Sequence, residues 1–425
     1  MRKSMASVLA LLALVLPLLA ACGGQPATTP EPTAGAAGGA ATEPTAAPAD
    51  DGKPRIALVT DLGKVNDGTF NEFAHLGAQR AAEEFGLEYK YIETGSQADY
   101  EKNIQTFVDE GFDAIITVGF LIADGTKAAA AANPDVKFIG VDQYYESGTV
   151  TDNLVGLQFR EDQAGFLAGA LAAMMTESQT VGVVAGVEIP PVKKFKNAFD
   201  NGAKYINPDI NLLGVYVPTF VDPALGASTA EQLIGEGADV IFGAGGPTGS
   251  GAIKAAAEAG AFVIGVDQDE YGTTFSGGTA PGADKILSSA IKRVDVSVYD
   301  QVKAVVEGTF VGNGIALYSA ENDGIGYADY NDTASVVPDD VKARMEEILA
   351  GLKDGSIDTG VDPVSGDNVA AAPAGDLPRI ALVTDLGKVN DGTFNEFAHL
   401  GAQQAADEFG LEYKYIETVA QGDYE

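Results

Sequence analysis

From Pro54 onward, short apolar runs alternate with longer stretches whose apolar residues recur every three or four positions. "RIALVTD" (55–61) has the continuous hydrophobicity of a strand buried on both faces. "TFNEFAHLGAQRAAEEFG" (69–86) has helical spacing and stops at Gly86. The alternation continues as strand 88–94, helix 99–111, strand 113–119, helix 124–133 and strand 136–142. Such spacing predicts a parallel sheet covered by helices on both faces. A second round follows "TDNLVGLQF" (151–159), with a helix over 160–177 and strands at 180–187, 210–217, 238–245 and 261–267. Helices at 192–207 and 226–237 and the stretch "SGAIKAAAEAG" separate those strands. The remainder is less regular: a long helix over 284–308, short strands at 314–320 and 324–330, and a helix over 338–355. The pattern predicts two α/β lobes, about 54–159 with 268–312 and about 160–267 with 313–350. Segments returning from one lobe to the other would form a multi-strand hinge with a ligand cleft between the lobes.

The first residues follow another rule. Arg2 and Lys3 precede an apolar run from Ala6 to Leu19 that meets "LAAC" at Cys22. The run is too short for a membrane span and suits a signal-peptide core, so 1–22 is expected to be a lipoprotein signal with Cys22 lipidated. Cys22 is the only cysteine, which excludes an intramolecular disulfide. Residues 23–53, rich in Gly, Ala, Pro and Thr, are expected to be a flexible tether. Together these place the folded part on the extracytoplasmic face of the cell membrane.

The stretch 54–101 recurs at 378–425 with 43 of 48 positions identical. A period of 324 residues is far too long for a solenoid unit. Residues 351–377 therefore read as a linker, with 356–377 a short terminal element running into it, and 378–425 as a truncated repeat. Two strands and one helix cannot bury a core of their own. The copy is expected to be poorly ordered or to compete for the matching sheet edge of the complete domain.

Composition narrows the chemistry. With 61 acidic against 26 basic residues, the formal net charge is −35, and no basic patch is available for nucleic acid. The two histidines, His75 and His399, occupy the same position in the two copies, so a histidine-built metal site or a serine–histidine triad is excluded within one domain. His75 reads as an ordinary helix side chain. No hydrolase signature stands out; no catalytic residue, metal or cofactor is expected.

Strands in both lobes end in a carboxylate: Asp61 in "IALVTDLG", Asp142 in "FIGVDQYY" and Asp267 in "VIGVDQDEY". Ligands of open parallel sheets bind beyond the carboxyl ends of the strands. Facing carboxylates there can accept hydrogen bonds from ligand hydroxyls or ring N–H groups; alternatively, each caps the following helix. "GKVNDGTFNE" (63–72) offers amides, a carboxylate and an aromatic ring at a helix start. Asp67 or Thr69 can cap that helix, and Phe70 is either a core residue or a stacking platform. "GAGGPTGSG" (243–251) resembles a phosphate cradle but lacks the Lys-Ser/Thr ending.

Taken together, "GKVNDGTFNE", "AGFLAGALAAMM", "FVDPALG" before "GADVIFGAGGPTGSG", and "VIGVDQDEY" followed by "ILSSAIKRVD" closely resemble the basic membrane protein family. These are bacterial substrate-binding lipoproteins that include purine nucleoside receptors of ABC importers. The resemblance covers about 54–350. It implies the type I periplasmic binding fold, two Rossmann-like lobes joined by three crossings. It also implies a cleft lined by Asn66, Asp67, Phe70 and Asn71, with Asp61 at the first strand end. Phe70 would stack on the base, while Asn71 and Asp142 would hydrogen-bond its edge. Asp267 would hold the ribose hydroxyls, Lys292 would lie near the closing lobe, and Phe220 is a candidate second aromatic. The implied partners are a purine nucleoside (guanosine, inosine or adenosine) and ABC permease subunits. A sensing lipoprotein of the same fold, or a nucleoside hydrolase, is the alternative.

Overall fold

The computed structural model describes residues 52–369, 379–409 and 411–418. The expected signal peptide, its Cys22 and the tether up to Asp51 lie outside the described residues. The first lobe begins with β1 (Ile56–Leu62), α1 (Phe70–Phe85), β2 (Tyr89–Thr94), α2 (Tyr100–Asp109) and β3 (Ala114–Val118). It continues through α3 (Ala123–Ala132), β4 (Lys137–Val141) and β5 (Leu154–Phe159). The second lobe takes α4 (Glu161–Met175), β6 (Thr180–Ala185), α5 (Pro190–Ile206), β7 (Asn211–Tyr216) and α6 (Pro223–Gly235). After it come β8 (Val240–Ala244), α7 (Gly246–Glu258), β9 (Phe262–Asp267) and β10 (Ile286–Lys292). The chain then returns to the first lobe with α8 (Val294–Glu307) and β11 (Gly314–Tyr318). It crosses a last time to β12 (Ile325–Tyr327) and α9 (Asp339–Lys353).

The first sheet has the order β11-β5-β4-β3-β1-β2, with every pairing parallel. The second has the order β12-β10-β9-β8-β6-β7 and is parallel except for its edge strand β12. Helices on both faces explain why β1, β3, β5, β6 and β8 are buried almost throughout. Helix α1 turns small residues inward at helical spacing, Ala74, Gly77, Ala78, Ala81 and Ala82. It ends where Gly86 takes a left-handed φ of 65°, a conformation in which other residues are strained. Glycines also permit close helix crossings. A Cβ on Gly169 of α4 would lie 1.9 Å from the Phe199 carbonyl oxygen of α5.

Three expectations are corrected. Residues 284–308 are not one helix: "ILSSAIK" forms β10, buried on both faces, and only 294–307 is α-helical. The strand exists because it pairs with β9 on one side and β12 on the other. The lobe boundaries move accordingly: 286–292 belongs to the second sheet, not the first, and 314–318 belongs to the first, not the second. The expected linker bound at 351 falls too early, because the last turn of a helix and the short terminal element ahead of the linker are packed. Helix α9 runs to Lys353, and Val361 bridges to Asn368. Thr359 donates to Asp162 Oδ2 at 2.6 Å, and Asn197 and Asn201 of α5 donate to the Gly366 and Thr359 carbonyls.

The repeat forms β13 (Ile380–Leu386), α10 (Phe394–Phe409) and β14 (Tyr413–Thr418). Strands β13 and β14 pair with each other as a separate two-stranded sheet and do not join the edge of the six-stranded sheet.

Candidate functional site

The two sheets present their carboxyl-terminal strand ends to one another across a cavity of about 610 Å³, mouth included. Asp61 lies within β1, Asp142 directly follows β4, Asp267 ends β9 and Lys292 ends β10. All four line this cavity, as do Asp67, Phe70 and Asn71 from the loop and first turn of α1. Asn66 does not. The sequence reading placed it in the cleft, but it is exposed in the turn between β1 and α1, outside the cavity lining.

Asp142 and Asp267, the two "IGVDQ" aspartates, share one uncommon backbone state, with φ of 61° and 67°. Non-glycine residues held there cost free energy, and such positions cluster where function needs a side chain aimed. Asp142 Oδ2 accepts from Lys292 Nζ at 2.7 Å. Its Oδ1 is buried with no hydrogen-bond partner among the described residues. Burial pushes the Asp142 carboxyl up to about 6; the Lys292 ammonium opposes the rise and Glu161 adds to it. Burial likewise raises Asp267 to about 7, opposed by Lys292 and reinforced by Asp142, Glu270 and Asp67. For Lys292 itself, burial favours the neutral amine, yet Asp142, Glu161 and Asp267 outweigh it and hold the ammonium above its ordinary range.

The α1 loop divides its labour. Asp67 accepts from the backbone N–H groups of Thr69, Asn71 and Glu72 and from Asn71 Nδ2. It is therefore the helix cap, and the side chain of Thr69 makes no capping bond. Asn71 Oδ1 in turn accepts from the Asp61 N–H at 3.1 Å. Asp61 accepts from the Leu62 N–H and the Tyr100 hydroxyl, while burial raises its pKa against both. These bonds pin the loop so that Phe70 faces the cavity. Lys292 Nζ lies 4.9 Å from the Phe70 ring centroid and 4.8 Å from that of Phe159.

The second lobe supplies apolar walls that sequence reasoning largely missed: Ile189, Pro191, Val192 and Phe195 at the start of α5. Phe220, a candidate from the sequence, also lines the cavity, and Gly186 makes room for it, since a Cβ there would meet the ring at 2.3 Å. The glycine-rich 243–251 stretch contributes Gly245, Gly246 and Pro247. Across the mouth, Thr273 Oγ1 donates to the Gly68 carbonyl at 2.9 Å and Gln268 Nε2 reaches the Thr69 carbonyl at 3.4 Å. The lobes are thus joined by hydrogen bonds as well as by the covalent crossings. Among the described residues no His, Cys, Asp or Glu cluster could hold a metal ion, and no helix is long and apolar enough to cross a membrane. Aromatic and apolar walls with a few inward carboxylates suit a planar polar solute with hydrogen-bond donors on its edge.

Comparison with known proteins gives this cleft its class. A family model described as "ABC transporter substrate-binding protein PnrA-like" (Bmp) matches residues 53–352, so the chain belongs to the Bmp family of ABC transporter substrate-binding proteins. It is 30% identical to the "ABC transporter nucleoside-binding protein BmpA" of Lactococcus lactis, over 69% of this chain and 87% of that one. An uncharacterized lipoprotein of Pyrococcus abyssi is 36% identical over 65% of this chain and 69% of its own. Among solved structures, an ABC transporter solute-binding protein from Aeropyrum pernix superposes with a TM-score of 0.64 at 28% identity. That match covers 72% of this chain and 92% of the other. The resemblance read from the motifs and the type I binding fold both stand.

Proposed function

We propose that this chain is a lipid-anchored, extracytoplasmic binding protein that delivers a purine nucleoside to the permease of an ABC importer and catalyses nothing. The observation that carries this reading is the combination of the Phe70 ring and the unpartnered Asp142 Oδ1 in one enclosure with Asp267. A planar base fits an aromatic face, its ring N–H fits the vacant acceptor, and a vicinal diol fits a second carboxylate. A nucleoside is neutral, so the acidic surface does not repel it. The nucleoside-binding relative from Lactococcus lactis supports the same ligand class. Binding would favour the joined state of the lobes, because the ligand would touch both at once.

The test is calorimetric titration of the full chain, unfolded and refolded to strip carried-over ligand, with guanosine, inosine, adenosine, cytidine and ribose. Micromolar or tighter binding of the purine nucleosides, without release of free base, is the expected result. Absence of heat with all five would remove the nucleoside assignment, and base release would remove the non-catalytic one.

A further inference from the structure

Behind the cavity lie two charges that line nothing. Glu161 and Lys194 are each 1% exposed in their side chains, and neither belongs to the cavity wall. Glu161 opens α4 directly after the first crossing, and Lys194 lies on α5 in the second lobe. Lys194 Nζ sits 2.5 Å from Glu161 Oε2 and donates to the Phe159 carbonyl at 2.9 Å. Glu161 Oε1 lies 2.9 Å from Lys292 Nζ, whose other carboxylate partner is Asp142 in the first lobe. Four charges of alternating sign, Lys194–Glu161–Lys292–Asp142, therefore run from the second lobe past two crossings to the cavity. Burying such a chain contributes little to stability, since apolar side chains of similar volume commonly do as well or better. Its placement points elsewhere.

We propose that Glu161 and Lys194 are positioning residues that fix the place and the net charge of Lys292 at the cavity wall, and so make the cleft accept a neutral solute in preference to its phosphorylated counterpart. Two lysines balance two carboxylates in the chain, and the Asp267 carboxyl, ionised only above about pH 7, adds negative charge facing the ligand. Without Glu161, Lys292 would stand as a partly unpaired cation among aromatic rings, a seat for an anion. The groups facing Asp267 are Lys292 on β10, Asp142 after β4, Glu270 after β9 and Asp67 before α1. Of these, Lys292 is the one that Glu161 engages directly.

The inference rests on the nucleoside reading for its ligand arm only. The first arm uses no ligand: the Asp267 carboxyl is titrated by carbon NMR in the apo chain, its signal assigned with Asp267→Asn. Glu161→Gln should lower the Asp267 midpoint, because Lys292 loses a competing carboxylate. Lys194→Met should raise it, because Glu161 loses its second cation. In the second arm, guanosine and guanosine 5′-monophosphate are titrated at pH 7.5. The nucleoside preference of the wild type should narrow about tenfold in Glu161→Gln and widen in Lys194→Met. Opposite signs mark a charge relay; simple loss of packing would move both variants the same way. If Lys194→Met fails to fold, Lys194→Gln takes its place, since the comparison of signs needs a folded variant at each position. Unmoved midpoints in folded variants, or shifts of equal sign, overturn the proposal. A wild type that binds no nucleoside overturns the ligand reading and leaves the titration arm to judge this one.

Discussion

Residues 55–94 and their copy at 379–418 differ at two positions, Arg80 against Gln404 and Glu83 against Asp407, and both positions are exposed in the complete domain. Most of their local hydrogen bonds coincide. The Asp61 N–H meets Asn71 Oδ1 at 3.1 Å, and its counterpart in Asp385 meets Asn395 at 3.2 Å. Asn71 donates to Asp67 as Asn395 does to Asp391, both at 3.0 Å. His75 pairs with Tyr89, and His399 with Tyr413, both at 2.8 Å. What differs is cover. Val59 is fully buried between β2 and β3, while Val383 is 52% exposed. Phe73 packs on the core, while Phe397 is 73% exposed. Short-range hydrogen bonds follow from the sequence of the β-α-β unit, whereas burial needs partners such as β3 and α8 that the copy does not have beside it.

Paired substitutions break or sharpen this contrast. The largest effect belongs to Leu58→Asp against Leu382→Asp. An unpaired carboxylate in the first core costs several kcal/mol, a large share of the roughly 5–15 kcal/mol that holds a domain together. Calorimetry should show the main transition lost in the first variant and unchanged in the second. Next comes Phe70→Ala against Phe394→Ala. If Phe70 stacks on a nucleoside base as proposed, its loss should weaken that binding roughly tenfold or more, from about 1–3 kcal/mol per stacked base, while the substitution in the copy should leave affinity untouched. Equal losses would mean that the copy contributes to the site.

Gly77→Ala against Gly401→Ala should differ in sign. A Cβ on Gly77 would fall 2.3 Å from the Asp295 carbonyl oxygen at the start of α8, whereas nothing lies within 4 Å at Gly401. Chemical unfolding should show a loss of about 1–3 kcal/mol for the first. The second should gain up to about 1 kcal/mol of local helix stability, visible as slower amide exchange along α10. The smallest effect is in titration. Asp67 accepts from three backbone N–H groups and an amide, Asp391 from two N–H groups and the matching amide, yet burial raises the first, while the Thr393 N–H holds the second below the ordinary range. Since Asp67 binds its proton more tightly folded than unfolded, its share of stability is present in acid and lost as pH rises through its folded pKa. For Asp391 the sign reverses: its share is present above the ordinary aspartate range and lost as pH falls. Carbon NMR of the two carboxyls should give midpoints on opposite sides of the ordinary value.

The contrast also marks how much of the site was legible beforehand. Asp61, Asp142 and Asp267 could be found because an apolar strand followed by a carboxylate is a local pattern, and the sheets bring those strand ends to one cleft. Asn66 sits in the same motif as Phe70, but turn geometry directs it to solvent, and a motif does not carry that direction. Strand β10 reads as helix in the sequence because "ILSSAIK" leads through Arg293 into the helical "VDVSVYDQVKAVVE" of α8, and only pairing with β9 and β12 makes it extended. Glu161 and Lys194 left no signal at all. Each is an ordinary charged residue on a helix, and they acquire a role only when packing within the second lobe sets Lys194 on Glu161 and Glu161 on Lys292, more than 90 residues away along the chain.

Local chemistry in this chain therefore decided what the backbone does over a dozen residues: where strands stop, which side chain caps α1, and where Gly86 ends it. Tertiary structure decided which of two nearly identical units has a core, which carboxylates are raised by burial, and which lysine stands at the cavity. The reason is range. Hydrogen bonds and caps are satisfied by neighbours in sequence, while desolvation and charge pairing depend on whatever the fold packs alongside.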